Sequence, residues 1–372
     1  MIGQAQNGSG KTAAFSLGML AAVDLSNNAP QTVCLSPTRE LARQNHAVVE
    51  KLGKHTGITM QLVVPNAAGL RSGRVTAQIL SGTPGKMQDL LKRRVISAGD
   101  VKQFVLDEAD VMISQDNMMG SQVTQIRKCF DHECQILLFS ATYPEEVRNF
   151  AKRIVPDACR IEVKKEDLTL TTIQQMYADC SQDPRAKKFQ FLEDLYGCMN
   201  VGQSIIFVNT KNAAFDLAEK MKAQGHSVAL ICGTNTTGDG ERVDPEYRDR
   251  VMDEFRDGVA KVLIATDVLA RGIDVPAVTL VINYQLPLIH GGRQDWASSQ
   301  QYATQSGRSC DMETYLHRIG RTGRFGLKGV SINLCDHEEM MLQDQIKRFY
   351  NADIECLDDD FEKLEETLKG LR

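Results

Sequence analysis

Near the start of the chain, Ala5-Gln6-Asn7-Gly8-Ser9-Gly10-Lys11-Thr12 combines the groups needed to grip a polyphosphate. Glycines let successive backbone N–H groups converge on phosphate oxygens, and the N-terminus of a following helix adds a favourable dipole. Lys11 would reach the β and γ phosphates, and the Thr12 hydroxyl would ligate magnesium. The general pattern begins with glycine where this chain has Ala5, and on its own the segment is also compatible with a plain glycine-rich turn. Further on, Asp107-Glu108-Ala109-Asp110 directly follows the apolar Phe104-Val105-Leu106. A carboxylate at the end of a buried strand can hold magnesium through water, which suits Asp107, and Glu108 can then orient or deprotonate an attacking water. An acidic helix N-terminus satisfying the helix dipole would account for Asp110 alone but poorly for the tetrad. Strand, acidic pair and upstream phosphate loop together point to nucleoside triphosphate hydrolysis.

A third group is cationic. His317-Arg318-Ile319-Gly320-Arg321-Thr322-Gly323-Arg324 carries four ionisable side chains among small residues, a poor composition for a core strand. Arginines at this spacing can present planar forks to a polyphosphate, and an arginine finger is worth roughly 10³ to 10⁵ in rate. If Arg321 and Arg324 reach the γ phosphate from a second domain, hydrolysis requires that domain to close. A single arginine here could equally be a solvated surface charge.

These groups need elements to position them. Short apolar runs, Thr32 to Leu35, Gln103 to Leu106, Ile136 to Phe139, Ser204 to Val208, Val228 to Ile231, Val262 to Ala265, Leu280 to Tyr284 and Val330 to Leu334, alternate with amphipathic helical stretches. The first such helix is predicted over Ala13 to Val23, straight after the phosphate loop. Apolar runs without strict alternation indicate strands covered on both faces, hence parallel α/β layers. The pattern occurs in two blocks. Between them Arg160 to Ile173 is charged and then threonine-rich, as befits an exposed connection. Thr234 to Asp244 and Leu288 to Cys310, the latter with the only tryptophan, Trp296, read as surface loops. Asp358 to Glu366 reads as the solvated face of a terminal helix.

The 372 residues carry 43 Lys and Arg against 48 Asp and Glu, a formal charge of -5, so a nucleic acid cannot be held by bulk charge and needs a local groove. The composition, 42% hydrophobic and 24% charged, is that of a globular protein, and the length suggests about two domains. No apolar run approaches the ~18 residues of a membrane-spanning helix, and no membrane insertion is expected. The ten cysteines are scattered singly. Cys34, Cys159, Cys198 and Cys232 lie inside or beside apolar stretches, so most of the cysteines are expected to be buried reduced thiols. Cys129 and Cys134 lack a second pair of ligands, which argues against structural zinc.

Taken together, the Ala5 to Thr12 loop, Pro37-Thr38-Arg39-Glu40-Leu41-Ala42, Thr83-Pro84-Gly85, Asp107-Glu108-Ala109-Asp110, Ser140-Ala141-Thr142, Ala270-Arg271-Gly272-Ile273-Asp274 and the His317 to Arg324 run resemble, in order, the motifs of DEAD-box RNA helicases. The resemblance covers essentially the whole chain. It implies two tandem RecA-like domains, 1–160 and 174–372, each a mainly parallel sheet covered by helices, joined by a linker at 161–173. The cofactors implied are ATP and Mg2+. The ATP contacts implied are Ala5, Gln6, Asn7, Gly8, Ser9, Gly10, Lys11 and Thr12, with Gly272 and Asp274 from the second domain; Asp274 would touch the ribose. The RNA track implied runs through Pro37, Thr38, Arg39, Thr83, Pro84 and Gly85, then Arg248, Thr266 and Arg271. Backbone contacts of that kind fix position without reading sequence. Ser140 and Thr142, meeting Asp110, and His317 are implied to couple hydrolysis to strand separation. As simpler roles, Pro37 and Thr83-Pro84-Gly85 could end strands in turns, and Ser140 and Thr142 could cap a helix.

Val105 to Ile113, the long segment before Thr314-Tyr315-Leu316-His317, and Ile354-Glu355-Cys356-Leu357-Asp358 resemble the subfamily that serves mRNA export at the nuclear pore. That resemblance implies mRNA-protein complexes, a nucleoporin and an export activator with inositol hexakisphosphate as partners. It places the protein in cytoplasm and nucleus, at the cytoplasmic face of the pore. Three departures stand out. The upstream glutamine motif that reads adenine is absent, so the sequence is expected to be truncated at its N-terminus. The paired glycines usual between the Arg39 and Thr83 motifs are not evident in Asn66-Ala67-Ala68-Gly69. Pro245 replaces the glutamine three positions before Arg248. The main expectation is an RNA-dependent ATPase that remodels RNA duplexes or ribonucleoproteins. The rivals are a hydrolysis-impaired RNA- or nucleoporin-binding clamp and a DNA-directed helicase of the same superfamily.

Overall fold

The computed structural model describes residues 1–6, 8–67, 70, 73–113, 118–131, 133–162, 172–198, 202–232, 245–267, 275, 277–289, 308–323, 327–357 and 361–369. The chain divides into two compact units, Met1–Val163 and Lys164–Arg372.

The first unit is built on β1 (Ile2–Gln4), β2 (Thr32–Leu35), β3 (Met60–Val63), β4 (Ile79–Gly82), β5 (Gln103–Asp107), β6 (Gln135–Ser140) and β7 (Arg160–Ile161). All pair in parallel, in the order β3-β4-β2-β5-β6-β1-β7. Each central strand carries a continuous apolar stretch because each is covered twice. Val33, Leu35, Phe104, Leu106, Ile136 and Leu138 meet one cluster, with Met87 and Leu90 of helix Pro84–Lys92, Val123 and Ile126 of helix Met119–Arg127, and Val147 and Ala151 of helix Glu145–Ile154. Cys34, Ile79, Val105, Leu137 and Phe139 meet the other, with Phe15 and Met19 of helix Lys11–Ala21 and Val49 of helix Arg39–Gly53. Polar residues interrupt β3 and β4, at Gln61 and Ser81, and β1 is three residues long, which is why none of these stood out as an apolar run.

The second unit repeats the plan with β8 (Ile173–Asp179), β9 (Gln203–Val208), β10 (Val228–Ile231), β11 (Val262–Thr266), β12 (Val278–Asn283), β13 (Gly329–Cys335) and β14 (Ile354–Cys356). The order is β10-β11-β9-β12-β13-β8-β14, again all parallel. Ile206, Val208, Ile264 and Ile282 pack under helices Pro184–Cys198 and Lys211–Ala223. Ile205, Phe207, Leu263 and Val281 pack under Met252 and Phe255 of helix Pro245–Arg256. Tyr315 and Ile319 of helix Met312–Ile319 join Leu342 and Ile346 of helix His337–Tyr350.

Several expectations are revised here. Both ends of the expected connection belong to sheets: Arg160 and Ile161 form the exposed edge strand β7, and Ile173 opens β8, whose apolar residues are interrupted by Gln174 and Gln175 and so escaped the search for continuous apolar runs. Cys159 is exposed rather than buried, because it lies in the turn that leads into that edge strand, whereas Cys34 and Cys232 are buried; the side chain of Cys198 lies outside the described residues. Pro245 is the first residue of its helix, where its missing N–H costs nothing. Of the two expected surface loops, Thr234 to Asp244 lies outside the described residues, as does 290–307 of the second. The described ends of that second loop are stitched together, with Leu288 and Cys310 in an antiparallel bridge and the Ile289 N–H donating to the Ser309 carbonyl at 3.0 Å.

Candidate functional site

In the first unit five adjacent strands, in the spatial order β4, β2, β5, β6 and β1, each end in one of the motif segments. Gly82 of β4 runs into Thr83, Leu35 of β2 into Ser36 and Pro37, β5 ends on Asp107, β6 ends on Ser140, and Gln4 of β1 runs into Ala5. Leu35 pairs with Gly82 and with Leu106, Asp107 pairs with Phe139, and Gln4 pairs with Ser140. The carboxyl edge of a parallel sheet is where α/β folds place ligand contacts, because the strand-to-helix turns there present helix N-termini. The acidic tetrad therefore lies between the Pro37 and Thr83 segments on one side and the phosphate loop on the other.

The loop is anchored to the neighbouring strand by the Ala5 N–H, which donates to the Ser140 carbonyl at 3.2 Å. Gly10, at φ 92°, takes the left-handed conformation that lets the chain enter helix Lys11–Ala21 at that angle. Gly8, Ser9 and Gly10 are exposed, while Asn7 lies outside the described residues. The Lys11 ammonium donates to the carbonyls of Ala5 (2.5 Å) and Gln6 (2.9 Å), folded back over its own loop.

Asp107 is 4% exposed, and each carboxylate oxygen accepts one hydrogen bond: Oδ1 from the Glu108 N–H (3.1 Å) and Oδ2 from the Asn45 amide (2.7 Å). Burial, and then the neighbouring Glu108 charge, push its pKa up to about 7; the Asn45 bond and the Lys11 charge pull the other way. Glu108 sits at φ 51°, a left-handed conformation costing a non-glycine residue about 1–3 kcal/mol. It turns the chain from β5 into helix Ala109–Ile113, leaving a buried side chain whose Oε2 has no partner among the described residues. Asp110 accepts from the Thr142 hydroxyl at 2.6 Å, and the Thr142 N–H donates to Ser140 Oγ at 3.3 Å. Neither Ser140 nor Thr142 caps the next helix, whose N-cap is Pro144.

Magnesium is tested by the donor set. Each Asp107 oxygen keeps a lone pair free, and a buried carboxylate whose charge is penalised by its surroundings gains from a nearby cation. Thr12 lies in the first turn of the loop's helix, and together they suit an octahedral ion that retains water.

Thr38 caps helix Arg39–Gly53, its hydroxyl accepting from the Leu41 N–H at 3.2 Å, and the Arg39 guanidinium donates to the Pro65 carbonyl. Pro84 begins helix Pro84–Lys92 after Thr83, whose side chain makes no capping bond, and Gly85 is exposed.

In the second unit Arg248 donates to the Cys232 carbonyl at 2.7 Å, and Thr266, 6% exposed, closes β11. His317, Arg318 and Arg321 are all buried, carried by helix Met312–Ile319 and the turn after it rather than by a strand. Arg318 shows how this is possible. Its fork donates to Asp267 Oδ1 (2.6 Å), the Gln285 carbonyl (2.6 Å), Asn209 Oδ1 (2.8 Å) and Asn283 Oδ1 (3.3 Å), and it lies over the Phe207 ring. A buried cation with its donors this fully used is tolerable. It draws the ends of β9, β11 and β12 together under the helix whose final turn leads to Arg321. Arg321 Nε donates to the His317 carbonyl at 2.9 Å. Asn7, Arg271, Gly272, Asp274 and Arg324 lie outside the described residues.

Asn45 and Arg318 escaped sequence reasoning as contributors. The signal for Asn45 was present: an asparagine inside the inward stripe Leu41, Ala42, Val49 of an amphipathic helix demands buried partners. Arg318 was indistinguishable in sequence from the other arginines of its run.

Residues 1–150 match the DEAD/DEAH box helicase family, and residues 187–326 match the helicase conserved C-terminal domain. The ATP-dependent RNA helicase DBP5 of Lodderomyces elongisporus is 46% identical over 339 residues, 91% of this chain and 61% of the relative. The ATP-dependent RNA helicase DBP5 of Saccharomyces cerevisiae is 42% identical over 373 residues, 99% of this chain and 71% of the relative. The chain thus spans between about three fifths and three quarters of the length of such relatives. The structure of S. cerevisiae Dbp5 bound to RNA and ADP BeF3 matches with a TM-score of 0.87 at 41% identity, covering 100% of this chain and 88% of that one. A variant of the same yeast protein bound to nup159, gle1, ip6 and adp matches with a TM-score of 0.67 at 39% identity, covering 100% of this chain and 90% of that one.

Proposed function

The chain belongs to the DEAD-box RNA helicase family, its two parallel seven-stranded sheets being that family's tandem RecA-like domains, and from that premise we propose that it is an ATP-dependent RNA helicase. The observation that carries the reading is the row of motif segments along one sheet edge, with Asp107 and Glu108 between the phosphate loop and the Pro37 and Thr83 segments. We take the unit that ends after β7 as the ATP-binding domain, the unit that contains β8 to β14 as the second domain, and the chain between β7 and β8 as the linker.

On this reading the loop from Ala5 to Thr12 binds the phosphates, and Lys11 exchanges its carbonyl partners for β and γ phosphate oxygens. Thr12, and Asp107 through water, would hold magnesium, which would supply charge neutralisation when bound. The unpartnered Glu108 oxygen orients the attacking water and takes its proton. Arg321 and Arg324 stabilise charge on the transferring phosphoryl, while Gly272 and Asp274 complete the nucleotide contacts. Pro37, Thr38, Arg39, Thr83, Pro84 and Gly85, continued by Arg248, Thr266 and Arg271, hold RNA by its backbone. The Thr142 to Asp110 bond, with Ser140 behind it and His317 from the second domain, links the water-orienting turn to strand separation.

The subfamily likeness supports a role in mRNA export, with mRNA-protein complexes as substrates. A nucleoporin and an export activator with inositol hexakisphosphate are the partners we propose, at the cytoplasmic face of the nuclear pore, since the solved relatives include complexes with gle1, ip6 and nup159. The test is Glu108→Gln. RNA-stimulated phosphate release should fall by about 10² to 10⁴-fold while a non-hydrolysable ATP analogue still binds. Undiminished release would overturn the assignment.

A further inference from the structure

We propose that Asn45 is a positioning residue for the metal-binding carboxylate, an inference that rests on the reading of Asp107 given above. Asn45 is 1% exposed on the inward face of helix Arg39–Gly53, among Leu41, Ala42 and Val49. A leucine would fill such a place without any polar obligation. Asn45 instead spends its amide donors on two strand ends: Nδ2 donates to Ser36 Oγ at 3.0 Å and to Asp107 Oδ2 at 2.7 Å. Its own Oδ1 is buried with no partner among the described residues. Leaving a buried acceptor unmet is unfavourable, so the orientation of this amide is set by what it donates to.

The consequence falls on Asp107. With the Glu108 N–H on Oδ1 and the Asn45 amide on Oδ2, the carboxylate cannot rotate, and one lone pair on each oxygen keeps a fixed direction. Magnesium tolerates little departure from octahedral geometry, and groups that orient a metal-binding side chain influence affinity strongly. Ser36 fixes the amide in turn, from the residue just before Pro37. The unit that holds the metal carboxylate is therefore a chain of three side chains, Ser36, Asn45 and Asp107.

The experiment is an equilibrium titration of magnesium against a fluorescent ADP, for wild type and Asn45→Leu, with thermal melting of both. The leucine keeps the branching at Cγ and the number of side-chain heavy atoms and removes the donors. The magnesium concentration for half-maximal binding should rise about tenfold, with metal-free nucleotide binding and the melting temperature little changed. Asn45→Asp, which sets an acceptor against Asp107, should be at least as defective. A purely structural role would lower melting temperature and weaken metal-free binding alike. Superimposable magnesium curves for wild type and Asn45→Leu overturn the proposal. Should the leucine variant fail to fold, Ser36→Ala frees the other end of the amide; a rightward magnesium shift supports the proposal and an unchanged curve overturns it. Wild-type nucleotide binding that ignores magnesium would overturn the reading of Asp107 itself, and with it this inference.

Discussion

Asp107 shows how a single residue can be costly to the fold and useful to the site. Its carboxyl binds a proton more tightly in the native protein, with a pKa near 7, than in an unfolded chain, where it would titrate near 3.8. Between these values the folded state holds a proton that the unfolded state has lost, so stability falls as pH rises through that window. The sign is opposite to that of a salt-bridged aspartate. Without metal or nucleotide, the unfolding free energy of the wild type should decline from about pH 4 to pH 7, and Asp107→Asn should remove that component of the slope. Urea denaturation across the pH range measures it directly. A slope unchanged by the substitution would mean that the carboxyl is not held in the buried, disfavoured state described here.

At the level of elements, continuous apolar strands announced themselves, since Val33 to Leu35, Phe104 to Leu106 and Ile205 to Val208 must face helices on both sides. Shorter or more polar strands did not, although the apolar edge strand β10 did. β3 and β4 carry polar residues, β14 is three residues long, and in β8 Gln174 and Gln175 separate Ile173 from the short stretch Met176 to Ala178. For the site, residue types and spacing located the segments, but not the side chains that reach them from other elements, because the Asn45 to Asp107 and Arg318 to Asp267 bonds span 62 and 51 positions. Glu339 is the same kind of residue in a structural role. It closes the capping box of helix His337–Tyr350, accepts from the Leu286 N–H at 2.9 Å, and pairs with Lys188, whose ammonium also donates to the Tyr284 carbonyl at 3.0 Å. Lys188 is 5% exposed. Glu339→Ala strands that cation in the interior and should cost about 3–5 kcal/mol, read as a drop in denaturant midpoint. Glu338→Ala, one position away on the exposed side, should cost under about 1 kcal/mol.

For the whole molecule, the apolar clusters each belong to one unit, so each sheet has its own core. The proposed ligands, by contrast, draw on both. RNA is assigned to Pro37, Thr38 and Arg39 in one unit and to Arg248 and Thr266 in the other; nucleotide is assigned to Lys11 in one and Arg321 in the other. A ligand that touches two separately folded bodies favors arrangements in which both sets of contacts are made, and each such ligand lowers the cost of that arrangement for the other. Thermodynamics then requires reciprocity: the factor by which RNA tightens an ATP analogue must equal the factor by which the analogue tightens RNA. A coupling of about 1–3 kcal/mol would make that factor roughly 5 to 150. Four dissociation constants test it, for each ligand with the other absent and saturating. Thr142→Ala, which breaks the 2.6 Å bond to Asp110, should leave both single-ligand affinities in place while shrinking the common factor. A factor of one in the wild type would mean that the two ligands are bound independently, and the helicase reading of the two-unit chain would have to be given up.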